Sequence, residues 1–213
     1  YAMMLYHGNK PSEALVEIER LLRVDPNNPG FRNLHAVVLC RIGEYAPALD
    51  IYADILRQHP AQTKIWMSYG HALKTAGRQE EAIAAYRRCL ALEPFLGEAW
   101  WSLANLKTFR FSDDDLALMR RQLEDASLAV EHRYHLEFAL GKATEDAKSW
   151  AESFAHYEKG NTLRRGTIRY DPGDNTTRMR TIKRIYTREF FAQRAGSGCQ
   201  DAGPSSATNA RSV

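Results

Sequence analysis

The sequence has few of the features that mark membrane, secreted or disulfide-rich proteins. No apolar run approaches the roughly 20 residues that a membrane-spanning helix needs. Only three cysteines occur among 213 residues, and Cys40, Cys89 and Cys199 do not form the framework of a small disulfide-stabilised domain. Free thiols in a reducing compartment are the simplest interpretation, so we expect a cytoplasmic protein.

Motifs that carry catalysis are missing as well. The sequence contains no Gly-rich phosphate loop, no nucleophile elbow and no paired carboxylates. His132 and His135 lie three residues apart, which places two imidazoles on one helix face, but no further ligand has a spacing that completes a metal site. We therefore predict no catalytic residue, no metal and no cofactor in this chain.

Charge is small overall and unevenly placed. The net charge is +3, yet residues 161–194 hold nine Lys/Arg against three Asp/Glu, while residues 1–160 hold nineteen against twenty-two. Tyr170, Tyr186, Phe190 and Phe191 lie among the basic residues. Nucleic-acid binding is one interpretation. We favour helices whose arginines reach solvent while their apolar faces pack on a neighbour, and we expect no nucleic-acid or membrane partner.

What the sequence does contain is a 34-residue repeat, clearest between Trp66 and Pro94. Its other marks recur at that spacing: Pro94 as Pro60 and Pro26, Gly77 as Gly43, Tyr86 as Tyr52, and Ala82 as Ala48 and Ala14. Gly70 allows two helices to approach closely, Gly77 ends the first helix in a left-handed conformation, and Pro94 stops the second. Self-similarity at this period is typical of tetratricopeptide repeats.

The repeat predicts an all-α fold, a right-handed tetratricopeptide superhelix with a divergent C-terminal hairpin and capping helices. We assign repeats to residues 1–94, with the first one truncated, divergent hairpins to 97–165, basic capping helices to 166–194, and a disordered tail to 195–213. Ser112 followed by three aspartates predicts a helix from about Asp113 to Leu123. A basic helix is expected over about Thr176 to Tyr186, after a break at 170–174.

Stacked repeats stabilise their neighbours, so a truncated first repeat predicts an exposed apolar edge. We expect lower stability at this N-terminal edge and self-association through it.

The first helix of each repeat lines the concave face of such an array. The predicted binding residues on that face are Asn33, Arg41, Lys64, Met67, His71, Lys74, Trp101 and Asn105. Their mixture of cationic, amide and aromatic groups predicts a protein or peptide ligand with some acidic character. The alternatives are a solvated face and a face filled by the C-terminal helices of this chain.

Two known ligand patterns of such repeats do not fit. The carboxylate clamp of chaperone cofactors needs an arginine where Ser68 stands. The asparagine ladder of the O-linked sugar transferases would need asparagine at Leu34, Ser68 and Ser102.

A more specific likeness lies outside the repeat consensus. Its residue runs are Trp100–Lys107 leading into Phe109–Ser112, then His135–Ala143, Ser153–Asn161, Arg169–Asp171 and Thr187–Phe191. These runs resemble the repeat region of bacterial tetratricopeptide-repeat sulfotransferases, over most of residues 60–194 and most strongly over 97–194. The resemblance implies a module that presents acceptors to a sulfotransferase domain using 3′-phosphoadenosine 5′-phosphosulfate.

The catalytic domain of that family opens with an apolar strand and a phosphosulfate-binding loop. Here the chain passes Gly203-Pro204 and continues to Val213 with neither, so no catalytic or donor-binding residue is carried over. We expect a truncated product or fragment, and we predict a non-catalytic interaction module. The alternatives are part of an active sulfotransferase whose catalytic domain is missing here and a general scaffold unrelated to sulfate.

Overall fold

The computed structural model describes residues 1–195, and within that range the chain forms twelve α-helices and no strand. The helices are α1 (Ala2–His7), α2 (Pro11–Val24), α3 (Pro29–Ile42), α4 (Tyr45–Gln58), α5 (Thr63–Thr75), α6 (Gln79–Leu92), α7 (Gly97–Ala104), α8 (Asp113–Glu124), α9 (Val130–Asp146), α10 (Trp150–Thr167), α11 (Pro172–Ile185) and α12 (Arg188–Ala195). The predicted all-α repeat array is confirmed. The predicted disorder from residue 195 onward falls outside the described residues, except for Ala195, which ends α12.

The helices divide into two compact units. Residues Tyr1–Thr167 contain α1 to α10, and the second unit, which starts at Ile168, contains α11 and α12. In the first unit each helix from α1 to α6 packs on the next, α8 packs on α9, and α9 packs against both α7 and α10. No helix among residues 1–195 is both long and apolar enough to cross a membrane.

The turns inside the hairpins share one backbone conformation. A residue with positive φ ends the first helix of four hairpins: Asn9 (59°), Gly43 (93°), Gly77 (80°) and Lys148 (62°). At the third of these, the N–H of Arg78 donates to the carbonyl of Leu73 at 2.9 Å, which satisfies a carbonyl at the end of α5. The first three positions follow the 34-residue period, whereas Lys148 does not.

Two of the hairpins depend on the same close approach of a glycine to a tyrosine ring. A Cβ atom on Gly70 would lie 2.6 Å from the ring of Tyr86, and one on Gly141 would lie 3.0 Å from the ring of Tyr157. Both pairs join residues sixteen apart, so the same contact closes α5 on α6 and α9 on α10. Any side chain on Gly70 would push these helices apart, which confirms its predicted packing role.

The fourth repeat departs from the regular pattern. Its first helix, α7, is eight residues long, and its turn is replaced by a segment that leads to α8. Ser112 accepts a hydrogen bond from the N–H of Asp115 while Asp115 accepts one from the N–H of Ser112, which is a capping box. The Asp115 carboxylate also binds Arg87 of α6 at 2.5 and 2.7 Å. The predicted start of α8 is therefore confirmed.

The basic helix α11 begins four residues earlier than predicted, at Pro172 in place of Thr176. The Asp171 side chain accepts a hydrogen bond from the N–H of Gly173 at 2.7 Å, and Pro172 is the first residue of α11. The predicted break between α10 and α11 is present at residues 168–171, but residues 172–174 belong to α11, because Asp and Pro are favoured residues at the N-cap and first helical position. The role of α11 and α12 as caps stays a prediction.

Candidate functional site

The main groove of the first unit is formed by two cavities that meet on α5. One cavity, of about 290 Å³, joins α5 to α3 and contains Arg41; we call it the Arg41 cavity. The other, of about 420 Å³, joins α5 to the start of α7 and to α9 and contains Glu98; we call it the Glu98 cavity. Ser68 and His71 line both cavities, so the two form one groove across α5.

The Arg41 cavity is aromatic with a single cation among its lining residues. Tyr6, Tyr45 and Tyr52 supply its aromatic walls. Tyr52 is 1% exposed, and this burial holds the pKa of its hydroxyl far above its usual value. The Arg41 side chain is exposed, and its Nη2 donates to Asn9 at 3.3 Å. This cavity can therefore take an apolar or aromatic group beside a negative charge.

The Glu98 cavity is polar at its rim and apolar at its base. Lys64, in the first turn of α5, lines this cavity together with Glu93 and Glu98. Met67 lies at the base and is 7% exposed. With neutral histidines, the two carboxylates exceed the one ammonium group by one negative charge.

His71 lines both cavities, and its two ring nitrogens contact different groups. Its Nδ1 lies 3.0 Å from the Tyr86 hydroxyl, and its Nε2 lies 3.5 Å from a carboxylate oxygen of Glu98. Burial raises the pKa of Tyr86 to about 12, so its hydroxyl stays protonated where it hydrogen-bonds with Nδ1 of His71. The hydrogen bond from His71 lowers the pKa of Glu98, which keeps this carboxylate ionised. The imidazole is thus held between a buried phenol and a half-exposed carboxylate.

Two polar atoms near the groove have no partner among the described residues. Nδ1 of His132, which lines the Glu98 cavity, is buried without a hydrogen bond, and so is Oδ1 of Asn33. Asn33 lines a third cavity of about 320 Å³ between α3 and α5, and Lys64 borders both this cavity and the Glu98 cavity. Buried polar atoms of this kind are usually satisfied by water or by a ligand.

The structure brings some predicted binding residues together and not others. Lys64, Met67 and His71 share the Glu98 cavity, while Arg41 and Asn33 lie in the two adjoining ones. The predicted residues Lys74, Trp101 and Asn105 line none of these three cavities. Trp101 instead packs its ring on Phe138 at 5.5 Å. As a binding face, the predicted set stays a prediction.

Several lining residues were missed from the sequence, among them Tyr45, Glu93 and His132. Tyr45 lies on the second helix of its repeat. The predicted concave-face residues all came from first helices, so a residue on a second helix was not considered. Glu93 lies at the end of α6, next to the Pro94 that marks the repeat boundary. His132 reaches the cavity because Gly97 lets α7 begin against the backbone of α9; a Cβ atom there would lie 2.3 Å from the His132 carbonyl.

The site offers no metal centre within the part of the chain that the structure describes. Over residues 1–195, no three His, Cys, Asp or Glu side chains are placed to hold one ion. The groove can therefore act through charge, hydrogen bonds and apolar contact.

Comparison with known families and structures places the fold. The model of the tetratricopeptide repeat matches residues 63–106. Among curated proteins, the small glutamine-rich tetratricopeptide repeat-containing protein 2 of Mycosarcoma maydis is 28% identical over 75 residues, which is 35% of this chain and 21% of that protein. The peroxisomal targeting signal receptor of Kluyveromyces lactis is 34% identical over 61 residues, 29% of this chain and 11% of the receptor. The chain thus spans a small part of the length of either relative.

Solved structures agree on the architecture. MamA of Desulfovibrio magneticus aligns with a TM-score of 0.58 at 16% identity, covering 79% of this chain and 93% of that one. A tetratricopeptide-repeat protein of Cytophaga hutchinsonii aligns with a TM-score of 0.57 at 18% identity, covering 76% of this chain and 63% of that one. At these identities the likeness concerns the fold alone. The chain is a helical array of the tetratricopeptide-repeat type.

Proposed function

We propose that this chain binds a peptide or an extended protein segment in the groove formed by the Arg41 and Glu98 cavities, and that it does so without catalysing a reaction. The observation that carries the proposal is the continuity of this groove: Ser68 and His71 border both cavities. A ligand that crosses α5 therefore contacts both the apolar base and the charged rim of the groove. Protein interfaces commonly combine an apolar centre with a polar rim in this way.

The proposal is tested by selecting peptides on the immobilised full-length chain from a phage-displayed library of random peptides. Lys64 and His71 are exposed at the groove, so the double variant Lys64→Glu/His71→Ala should fold normally and lose binding. Arg88→Ala is the matched control, because Arg88 is exposed on α6 and lines neither cavity. We expect the selected peptides to bind the double variant at least roughly tenfold more weakly, a loss of about 1.4 kcal/mol. Equal binding to all three proteins would exclude this groove.

We also infer, from the sequence runs in residues 97–194, that the module positions acceptors for a sulfotransferase. The relatives named above match the chain through its helical repeats, so this step rests on the sequence resemblance. The coding DNA beyond residue 204, read in all three frames, should encode an apolar strand followed by a phosphosulfate loop. If no frame does, the sulfotransferase proposal is wrong, while peptide binding in the groove stands.

The competing enzymatic function has its own test. The 213 residues are incubated with radiolabelled phosphosulfate donor and candidate acceptors, and we expect no transfer. Turnover by the chain alone would overturn the non-catalytic proposal. A cytoplasmic location stays a prediction.

A further inference from the structure

The two ends of the groove differ in charge. The residues lining the Arg41 cavity include one cation and no carboxylate. The Glu98 cavity contains Glu93 and Glu98 against Lys64, which leaves one negative charge in excess when its histidines are neutral. A groove with charges of opposite sign at its ends selects both the composition and the direction of an extended ligand.

The charged groups at both ends are free to meet a ligand. Arg41 is exposed, and its side chain makes one long hydrogen bond, to the neutral amide of Asn9. The Glu98 side chain contacts the His71 imidazole at 3.5 Å and is still 54% exposed. Each end therefore presents an accessible charge to a ligand.

We propose that the ligand is an extended peptide segment with an acidic residue that binds Arg41 and a basic residue that binds Glu98. This inference rests on the proposed function, and it restricts the acidic preference expected from the sequence to one end of the groove. Arg41 lies on α3 and Glu98 on α7, on opposite sides of α5. Two helix-packing distances of about 8–10 Å separate the two helices, so roughly 16–20 Å lie between them across the groove. Arg41 is near the end of α3 and Glu98 near the start of α7, about eleven residues apart in the 34-residue register, which adds roughly 16 Å along the helices. At about 3.3 Å per residue, the two ligand charges lie roughly seven or eight residues apart.

The tyrosines next to Arg41 refine the ligand further. Tyr6, Tyr45 and Tyr52 surround the position that the acidic residue would occupy. An aromatic or aliphatic residue beside the acidic one would cover these rings and exclude water from the ion pair, which strengthens it. The basic residue at the other end lies above Met67 and Leu96, which suits the aliphatic stem of lysine or arginine.

The test uses a phage-displayed library of random dodecapeptides and four full-length proteins: wild type, Arg41→Glu, Glu98→Lys and the control Arg88→Ala. Peptides selected on wild type and on the control should carry an acidic and a basic residue roughly seven or eight positions apart, in one order. Arg41→Glu should lose the acidic preference, and Glu98→Lys should lose the basic one. Circular dichroism at matched concentration verifies that all four proteins fold alike.

A second measurement fixes the size of the effect. The peptide most enriched on wild type and its charge-reversed version are synthesised, and fluorescence anisotropy should show at least tenfold weaker binding of the reversed peptide at 50 mM salt. Selected peptides without the charge pair, or identical selections on all four proteins, would overturn this inference and leave peptide binding intact. Failure to enrich any peptide on wild type would overturn the proposed function as well.

Discussion

At the scale of single residues, the packing of α5 on α6 depends on the missing side chain of Gly70. Replacing Gly70 with Ala places a methyl group 2.6 Å from the ring of Tyr86, which is fully buried and cannot move aside freely. We expect a loss of about 1–3 kcal/mol in the free energy of unfolding, measured by urea denaturation.

Gly166→Ala is the matched control for this substitution. Gly166 lies in α10, and a Cβ atom there meets nothing within 4 Å. This variant should be unchanged or up to about 1 kcal/mol more stable, since alanine favours helix. Equal destabilisation of both variants would show that the close approach at Gly70 is not the cause.

His135 should make the stability of the fold depend on pH. Burial lowers the pKa of His135 below its ordinary value of 6.5, and its Nδ1 is buried without a partner among the described residues. Between the folded pKa and 6.5 the unfolded chain binds more protons than the folded chain, so stability falls as pH drops below 6.5.

The prediction is measured as the melting temperature at several values between pH 7.5 and 5.5. The variant His135→Gln cannot titrate and should lose less stability over this interval than wild type. Burial lowers the pKa of His35 in the same direction, so part of the slope should remain. An unchanged slope in His135→Gln would contradict the assignment.

At the scale of helices and turns, the sequence predicted what depends on local chemistry. Ser112 and the aspartates after it set the start of α8, and Gly43 and Gly77 marked two left-handed turns, because these residue types have strong conformational preferences. Local chemistry does not predict the same conformation at Lys148, since lysine has no preference for it.

The candidate site was less predictable for a similar reason. Lys64, Met67 and His71 could be predicted together on the concave face because they follow the repeat register on a single helix, and the structure places all three in the Glu98 cavity. His132 comes from α9, beyond the segment that replaces the fourth turn, and the close contact at Gly97 that brings it in is tertiary. Local patterns do not report such contacts between distant segments.

Lys148 offers a stabilising substitution at this scale. Its φ of 62° strains an L-residue with a side chain, whereas glycine adopts it without a steric cost. Lys148→Gly should raise the free energy of unfolding by about 0.5–1 kcal/mol, measured by urea denaturation. Gly77→Ala, at the equivalent turn with φ of 80°, should lower it by about 1 kcal/mol. The two substitutions should change the free energy of unfolding in opposite directions, and changes in the same direction would contradict this prediction.

At the scale of the whole molecule, packing is uneven along the array. The buried cluster around α1 and α2 contains five residues, Ala2, Leu5, Ala14, Ile18 and Val38, while the main cluster extends from α3 to α9. Met4, on α1, is 74% exposed. We expect backbone amides of residues 2–24 to exchange with deuterium at least roughly tenfold faster than those of 63–92. Equal protection in a monomer would contradict the prediction of a weak N-terminal edge.

The same edge should control self-association. Met4→Lys places a charge on the exposed apolar surface of α1, so it should reduce any concentration-dependent association seen by analytical ultracentrifugation. Exposed Val24, at the end of α2, provides the control: Val24→Lys adds the same charge at another position. Equal effects of both variants would indicate a general effect of charge.

The position of His71 between the two cavities has a consequence for any occupant. The His71 imidazole borders both the Arg41 cavity and the Glu98 cavity. Tyr86 hydrogen-bonds with one of its ring nitrogens, and Glu98 lies near the other. A ligand group that turns this ring to reach Glu98 also withdraws it from the phenol on the opposite side. Two short fragments, one in the Arg41 cavity and one in the Glu98 cavity, would therefore affect each other: binding of the first should change the affinity of the protein for the second.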